Sequence, residues 1–199
     1  MQDEIWFLKP WVWMDYRLAV LFAVFVPLGL LIWSLVRRSE AITRLLVIYW
    51  RVASLLMITV YLMIPAWSIA YVTGFMARIL IPIALWFWVD INDEIEDMPG
   101  SRFKLWVTGW RWAMTVYCTL GALVSIPTLS CAFSRVAFQQ EFCQVWLEAP
   151  LLYKSWFHRN TDPGILGFFG VVALVVYGLY LGYFLVVRLA RQGRIAIEQ

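Results

Sequence analysis

The chain has 199 residues, 63% hydrophobic and only 15% charged, with a mean hydropathy of +0.75. Soluble domains carry about a quarter charged residues, so water is excluded as its main solvent. The net charge of +3 comes from Lys and Arg placed singly beside apolar runs, which leaves no basic stripe for nucleic acid. Thirteen Trp, thirteen Phe and nine Tyr add amphipathic rings of the kind that gather where hydrocarbon meets headgroups. The bilayer is therefore the first partner the composition implies.

The N-terminus opens with Asp3 and Glu4 rather than a basic region, so its first apolar run reads as a retained span instead of a cleavable signal. A bilayer core of about 30 Å takes about 20 helical residues, and only self-satisfied backbone crosses it. The apolar runs predict five helices, at 18–36, 45–68, 75–89, 105–126 and 165–187, in a single transmembrane domain covering 1–199. The fold class is all-α and polytopic. Arg17 and the pair Arg37, Arg38 bound the first run; Asp162 and Pro163 supply an N-cap and first-turn proline for the fifth. Arg51 and Arg111 lie near the starts of helices two and four, on stems long enough to snorkel. Helix three is short and carries Arg78 and Pro82, which leaves a tilted, broken or re-entrant course open.

Lys and Arg counts set an expected orientation. With the N-terminus outside, the inner side holds Arg37, Arg38, Arg44, Arg51, Arg102, Lys104, Arg111, Arg188, Arg191 and Arg194, against Lys9, Arg17, Arg78, Arg135, Lys154 and Arg159 outside. N-out, C-in follows. Cys131 and Cys143 then fall in or beside the outer loop, 134–164, where a disulfide is permitted and two free thiols are the alternative; Cys118 lies inside helix four. In that loop Phe138, Phe142, Val145 and Trp146 recur at helical spacing, and Leu151, Leu152, Trp156 and Phe157 continue the pattern, predicting an interfacial helix.

Two segments align without a gap: Pro27-Leu-Gly-Leu-Leu-Ile-Trp33 and Pro82-Ile-Ala-Leu-Trp-Phe-Trp88. Each is followed by a Trp-Arg-x-Ala, Trp50 to Ala53 and Trp110 to Ala113, and then by a Thr-Val-Tyr, Thr59 to Tyr61 and Thr115 to Tyr117. The order suggests a duplicated two-helix hairpin with a fifth helix added, although the spacing to Thr-Val-Tyr is unequal. Arg51 and Arg111 would then be equivalent.

The most polar stretch is Asp90-Ile-Asn-Asp93-Glu94-Ile-Glu96-Asp97. On a continued helix Asp90, Asp93 or Glu94, and Asp97 share one face, a layout able to bind a divalent cation and through it a diphosphate. Asp-x-x-Asp-x-x-x-Asp resembles the aspartate-rich motif of intramembrane prenyltransferases, though the chain is too short for that fold and no second motif follows. Thr73-Gly74-x-x-Ala77-Arg78 looks like part of the signature of CDP-alcohol phosphotransferases, but its first aspartates are absent and Phe87 stands where a glycine is expected. The electrostatic alternative pairs this acidic loop with Arg37, Arg38 and Arg44 of loop one, with the C-terminal arginines, or with a partner's basic loop.

Arg78 has small neighbours, Gly74 and Ala77, and no acid near it in sequence. An unpaired guanidinium in hydrocarbon costs at least about 2.5 kcal/mol, so it should reach the outer interface or find a carboxylate such as Asp15, Glu141 or Glu148. The single histidine, His158, cannot supply paired haem ligands, and no cofactor is assigned. No close metal-binding Cys pair, phosphate-cradling loop or nucleophile with a neighbouring base is present. In helix five Gly164, Gly167 and Gly170 recur every third residue and Gly178 and Gly182 form Gly-x-x-x-Gly, for packing inside the chain or docking to a partner or twin.

Three stretches carry a family resemblance. Trp13-Met-Asp15-Tyr16-Arg17-Leu-Ala-Val20-Leu-Phe22, Tyr49-Trp50-Arg51-Val-Ala-Ser54 and Ile79-Leu-Ile-Pro82-Ile-Ala-Leu-Trp86-Phe-Trp88-Val-Asp90 resemble an uncharacterised domain-of-unknown-function family of small cyanobacterial membrane proteins. That resemblance covers most of the chain and implies a photosynthetic host and a thylakoid or plasma membrane, with no activity attached. The expected role is a non-enzymatic accessory, scaffold or assembly subunit of a larger photosynthetic or respiratory membrane complex, with a membrane-protein partner or a homo-oligomer implied. A small transporter or channel using Arg51, Arg78 and Arg111, and a metal-dependent lipid enzyme using Asp90 to Asp97, are the competing classes.

Overall fold

A computed structural model describes residues 5–189 and 194–195, with side chains from Leu8 onward except that of Arg188. Asp3, Glu4 and Arg191 lie outside the described residues. The described residues are predominantly helical, with no strand among them. The elements are α1 (Ile5–Ala19), α2 (Val26–Arg37), α3 (Glu40–Met63), α4 (Ile69–Trp86), α5 (Val89–Asp97), α6 (Arg102–Ser125), α7 (Ser130–Phe133), α8 (Arg135–Phe138), α9 (Glu141–Gln144), α10 (Glu148–Phe157) and α11 (Pro163–Tyr183).

Four stretches are long and apolar enough to cross a bilayer: Leu8–Arg37, Glu40–Met63, Ile69–Trp86 and Pro163–Val187. Arg102–Ser125 becomes the fifth when taken with Pro127–Phe133, from which it is bent by 52°. Proline at the start of that second piece has no N–H to continue the helix, which accounts for the bend.

Local chemistry sets the ends. Ser101 caps α6 by accepting from the Lys104 amide, and Asp162 caps α11 through the amides of Gly164 and Ile165. The first helix starts well before the predicted residue 18. α1 and α2 form one rod through a π-helical turn, Val20–Phe25; of the polar side chains of α1, Lys9, Trp13 and Tyr16 have partners on the loop lobe described below and Asp15 has them on α4 and α6. A π turn loosens the backbone ladder. Two carbonyls there are used from outside: Tyr49 donates to Ala23 O at 2.8 Å and Trp110 Nε1 to Phe22 O at 2.9 Å.

Helix two ends at Met63, not near 68, because Pro65 cannot donate and Ala66 turns the chain in the left-handed region (φ 59). That turn lets α4 begin at Ile69. Its 18 residues reach about 27 Å at 1.5 Å each, enough for a span without re-entry. The predicted end at 89 is also corrected: α4 stops at Trp86, Trp88 is extended (φ −86, ψ 110), and α5 starts afresh.

α3 is the hub, packed against α2, α4, α5, α10 and α11, while α6 closes on α4, α2 and the π turn. One core cluster joins Leu45, Leu46, Tyr49, Ile81, Leu85, Ile91, Val107 and Met114. The other joins Val12, Leu62, Tyr71, Ala77 and the loop residues Cys131, Cys143 and Trp146. The loop is thus not one helix lying on the surface. It is a lobe of short helices, α7 to α10, closed by a Cys131–Cys143 disulfide; Cys131, Cys143, Val145, Trp146 and Leu147 are buried in the core, while Leu151, Trp156 and Phe157 stay exposed along its surface. Its membrane face is called here the disulfide face; the opposite face carries the α2–α3 turn and α5.

Candidate functional site

The three intramembrane arginines stand in three different surroundings. Arg78, midway along α4, forms an ion pair with Asp15 of α1. Tyr117 of α6 donates to the same carboxylate at 2.9 Å and to the Asp15 carbonyl at 3.0 Å, and the guanidinium lies 5.9 Å from the Tyr117 ring. Of the three acids the sequence made available to Arg78, Asp15 is the partner. Glu148 instead accepts from Lys9 at 2.9 Å and from Trp13 Nε1 at 3.1 Å, tying α1 to the lobe; Glu141 is exposed. The sequence reading missed Gly121 altogether. A Cβ on this residue would lie 2.0 Å from Arg78 Nη1, so the glycine makes room for the charge.

Arg111 is buried, and among the described residues no carboxylate pairs with it. It donates to Leu85 O at 2.7 Å and to the Asn92 side-chain oxygen, and its guanidinium sits 4.0 Å from the Trp86 ring centre. Asn92 returns a bond to Trp86 O at 3.0 Å, and Trp86 Nε1 donates to Thr115 at 2.8 Å. Neutral acceptors and a ring face thus hold the cation at the α4–α5 break, where carbonyls are left unpaired by the helix ladder. Arg194 joins the same break: its Nε donates to Phe87 O at 2.8 Å, and Val89 N–H donates back to Arg194 O at 3.2 Å.

Arg51, the residue equivalent to Arg111 under a duplicated hairpin, is exposed and donates to the Tyr180 hydroxyl at 3.2 Å. It lines a lateral groove of about 290 Å³ between α3, α4 and α11, together with Arg44, Val47, Leu80, Ile83 and Phe184.

The acidic residues follow α5 as the sequence led one to expect, with Asp93, Glu94 and Asp97 exposed and Asp90 half-buried. They do not converge. Among the described residues no three His, Cys, Asp or Glu side chains come together as a metal site, because one helix face spreads its carboxylates along the axis and no second element supplies another. Arg44 of α3 lies 2.8 Å from Glu40 and 3.8 Å from Glu94, which joins loop one to α5.

The five glycines of α11 divide. Gly167 and Gly170 are buried, and added Cβ atoms would meet Pro65 Cγ at 2.5 Å and Leu62 Cδ2 at 3.1 Å; at Gly164 one would meet the capping Asp162 at 2.9 Å. Gly178 and Gly182 face open space, with nothing within 4 Å. In the lobe, His158 Nε2 shares a 2.9 Å hydrogen bond with the Tyr61 hydroxyl. Burial raises the neighbouring Tyr153 phenol, helped by its hydrogen bond with Tyr61.

Several long apolar helices, four or five of them able to cross a bilayer, define a multi-pass integral membrane protein. Residues 9–197 match the family model DUF3177, a protein of unknown function. The chain belongs to that family. No curated protein and no solved structure matches it.

Proposed function

We propose that the chain is a non-enzymatic accessory subunit, scaffold or assembly factor of a larger complex in a photosynthetic or respiratory membrane. The observation that carries this reading is the state of α11. Only 6% of its most apolar stretch is buried inside the chain, against 44% for α3, and Gly178 and Gly182 lie open on the exposed part. Small residues four apart let a second helix backbone approach closely, which is the main source of affinity between helices in lipid. The exposed acids Asp93, Glu96 and Asp97 of α5 add a charged surface at the end of the bundle to which α11 runs.

A thylakoid or plasma membrane, with the disulfide face on the oxidising side and the C-terminus in the cytoplasm, goes with this reading. A disulfide persists only in an oxidising compartment, and the excess of Lys and Arg on the opposite side agrees.

The test is affinity purification of the full chain from native membranes in mild detergent, with mass spectrometry of co-migrating proteins. A stoichiometric membrane-protein partner, lost on Gly178→Leu or Gly182→Leu but retained in Arg37→Gln, is the expected result. Recovery of the chain alone at monomer mass would overturn the proposal.

A further inference from the structure

The groove between α3, α4 and α11 combines an apolar wall with an unneutralised cation. Arg44, Val47, Ile48 and Arg51 recur at helical spacing, so they form one stripe of α3 along its length. Leu80 and Ile83 of α4, Leu181 of α11, and Phe184 and Leu185 of the π-helical turn that follows α11 are among the residues on the other walls. Arg44 is engaged by Glu40 and Glu94. Arg51 is not: among the described residues no carboxylate pairs with it, and it donates to the Tyr180 hydroxyl.

Arg51 is exposed on α3, about two turns beyond Arg44. A guanidinium on the open side of a spanning helix is costly to leave unpaired; Arg78 has Asp15 and Arg111 has Leu85 O, Asn92 and the Trp86 ring, whereas among the described residues Arg51 has the Tyr180 hydroxyl. Tyr180 completes the arrangement. Its oxygen accepts from Arg51, so its own proton is available to an outside acceptor and points the site toward anions. A guanidinium presents several N–H groups in a fixed fork that suits phosphate oxygens, and basic pockets between spanning helices take anionic headgroups.

We infer that this groove binds an anionic membrane phospholipid, with its phosphate held by Arg51 and the Tyr180 hydroxyl and an acyl chain lying in the apolar groove against Val52, Leu80 and Tyr177. The lipid comes from the leaflet on the α5 face. The apolar wall is what distinguishes it from a site for a free anion, and the open side of the groove lets the lipid enter from the bilayer.

The test takes the full chain in neutral detergent and uses native mass spectrometry to count what stays bound after addition of phosphatidylglycerol, phosphatidylcholine or inorganic phosphate. One phosphatidylglycerol is retained by the unaltered chain, and phosphatidylcholine and inorganic phosphate are not. Arg51→Gln lowers that retention about tenfold, and Tyr180→Phe, which removes a single hydroxyl, lowers it about threefold. Ile83→Trp, narrowing the groove with Arg51 in place, lowers it as well, while Arg37→Gln at the exposed end of α2 leaves it unchanged. Equal retention by the unaltered chain and Arg51→Gln overturns the inference. So does displacement of the lipid by equimolar inorganic phosphate, or an Arg51-dependent protein partner recovered in place of lipid.

Discussion

Gly121 of α6 and Arg78 of α4 occupy each other's space: a methyl group on Gly121 would stand 2.0 Å from Nη1 and 3.0 Å from Cζ of the guanidinium. The charge fits between helices because one of them has no side chain at that point. The first prediction concerns this pair. Gly121→Val displaces Arg78 from Asp15 and destabilises the bundle by about 3 kcal/mol, the cost of leaving a buried ion pair broken. Asp15→Asn and Arg78→Gln each cost a similar amount, whereas the double replacement Asp15→Leu with Arg78→Met recovers most of it, since no unpaired charge remains. Loss of folded, monodisperse protein on heating in detergent measures all four. Equal stability of the double and single variants would remove the ion pair from the account.

A second prediction separates the glycines of α11. Gly167→Ala is destabilising, by about 1–3 kcal/mol, because its methyl group would meet Pro65 Cγ at 2.5 Å. Gly178→Ala meets nothing and stabilises the isolated chain slightly, by about 0.5–1 kcal/mol, through the usual advantage of alanine over glycine inside a helix. The melting temperatures of the two purified variants should move in opposite directions.

The disulfide gives a third. Cys131 and Cys143 are 12 residues apart in sequence, and closing so short a loop stabilises by about 3 kcal/mol on the chain-entropy estimate. Cys131→Ser loosens the lobe, and the contacts from Tyr71 to Cys143 O and from Tyr16 to Trp146 O are where the loss would spread into α4 and α1. Alkylation of the denatured chain before and after reduction, read by mass, checks the bond itself. One modified cysteine without reductant and three with it is the expected pattern; three in both would show free thiols.

Arg111 gives the fourth. Arg111→Lys removes the planar fork that reaches Leu85 O, Asn92 and the Trp86 face together, so the substitution is not conservative. It should cost about 2 kcal/mol and free the α4–α5 break. Faster tryptic cleavage after Arg102 or Lys104, compared with the unaltered chain, is the readout; unchanged cleavage and unchanged melting would deny Arg111 this role.

Much of the architecture was legible beforehand because the bilayer imposes its own length scale. Apolar runs near 20 residues mark spans, and Asp162 with Pro163 marks where α11 starts, since capping chemistry is local. The misjudged ends have local causes of another kind. Helix two was read past Pro65 because the apolar run continues through a turn that hydropathy does not register. Helix one was begun late because Lys9, Asp15 and Arg17 look like the edge of a membrane, although the helix carries them on.

The sequence by itself determined a membrane-embedded helical bundle, since apolar runs near 20 residues match the length of a helix that satisfies its own backbone across hydrocarbon, about twice that of a barrel strand. Tertiary structure decided which charges are satisfied. Asp15 is 63 residues from Arg78 and Gly121 is on a third helix, so no spacing rule joins them. The same holds for the groove, where Arg51 and Tyr180 meet across 129 residues. It holds for the glycines of α11, identical in sequence terms, of which α3 and the turn after it cover only those nearer the disulfide face.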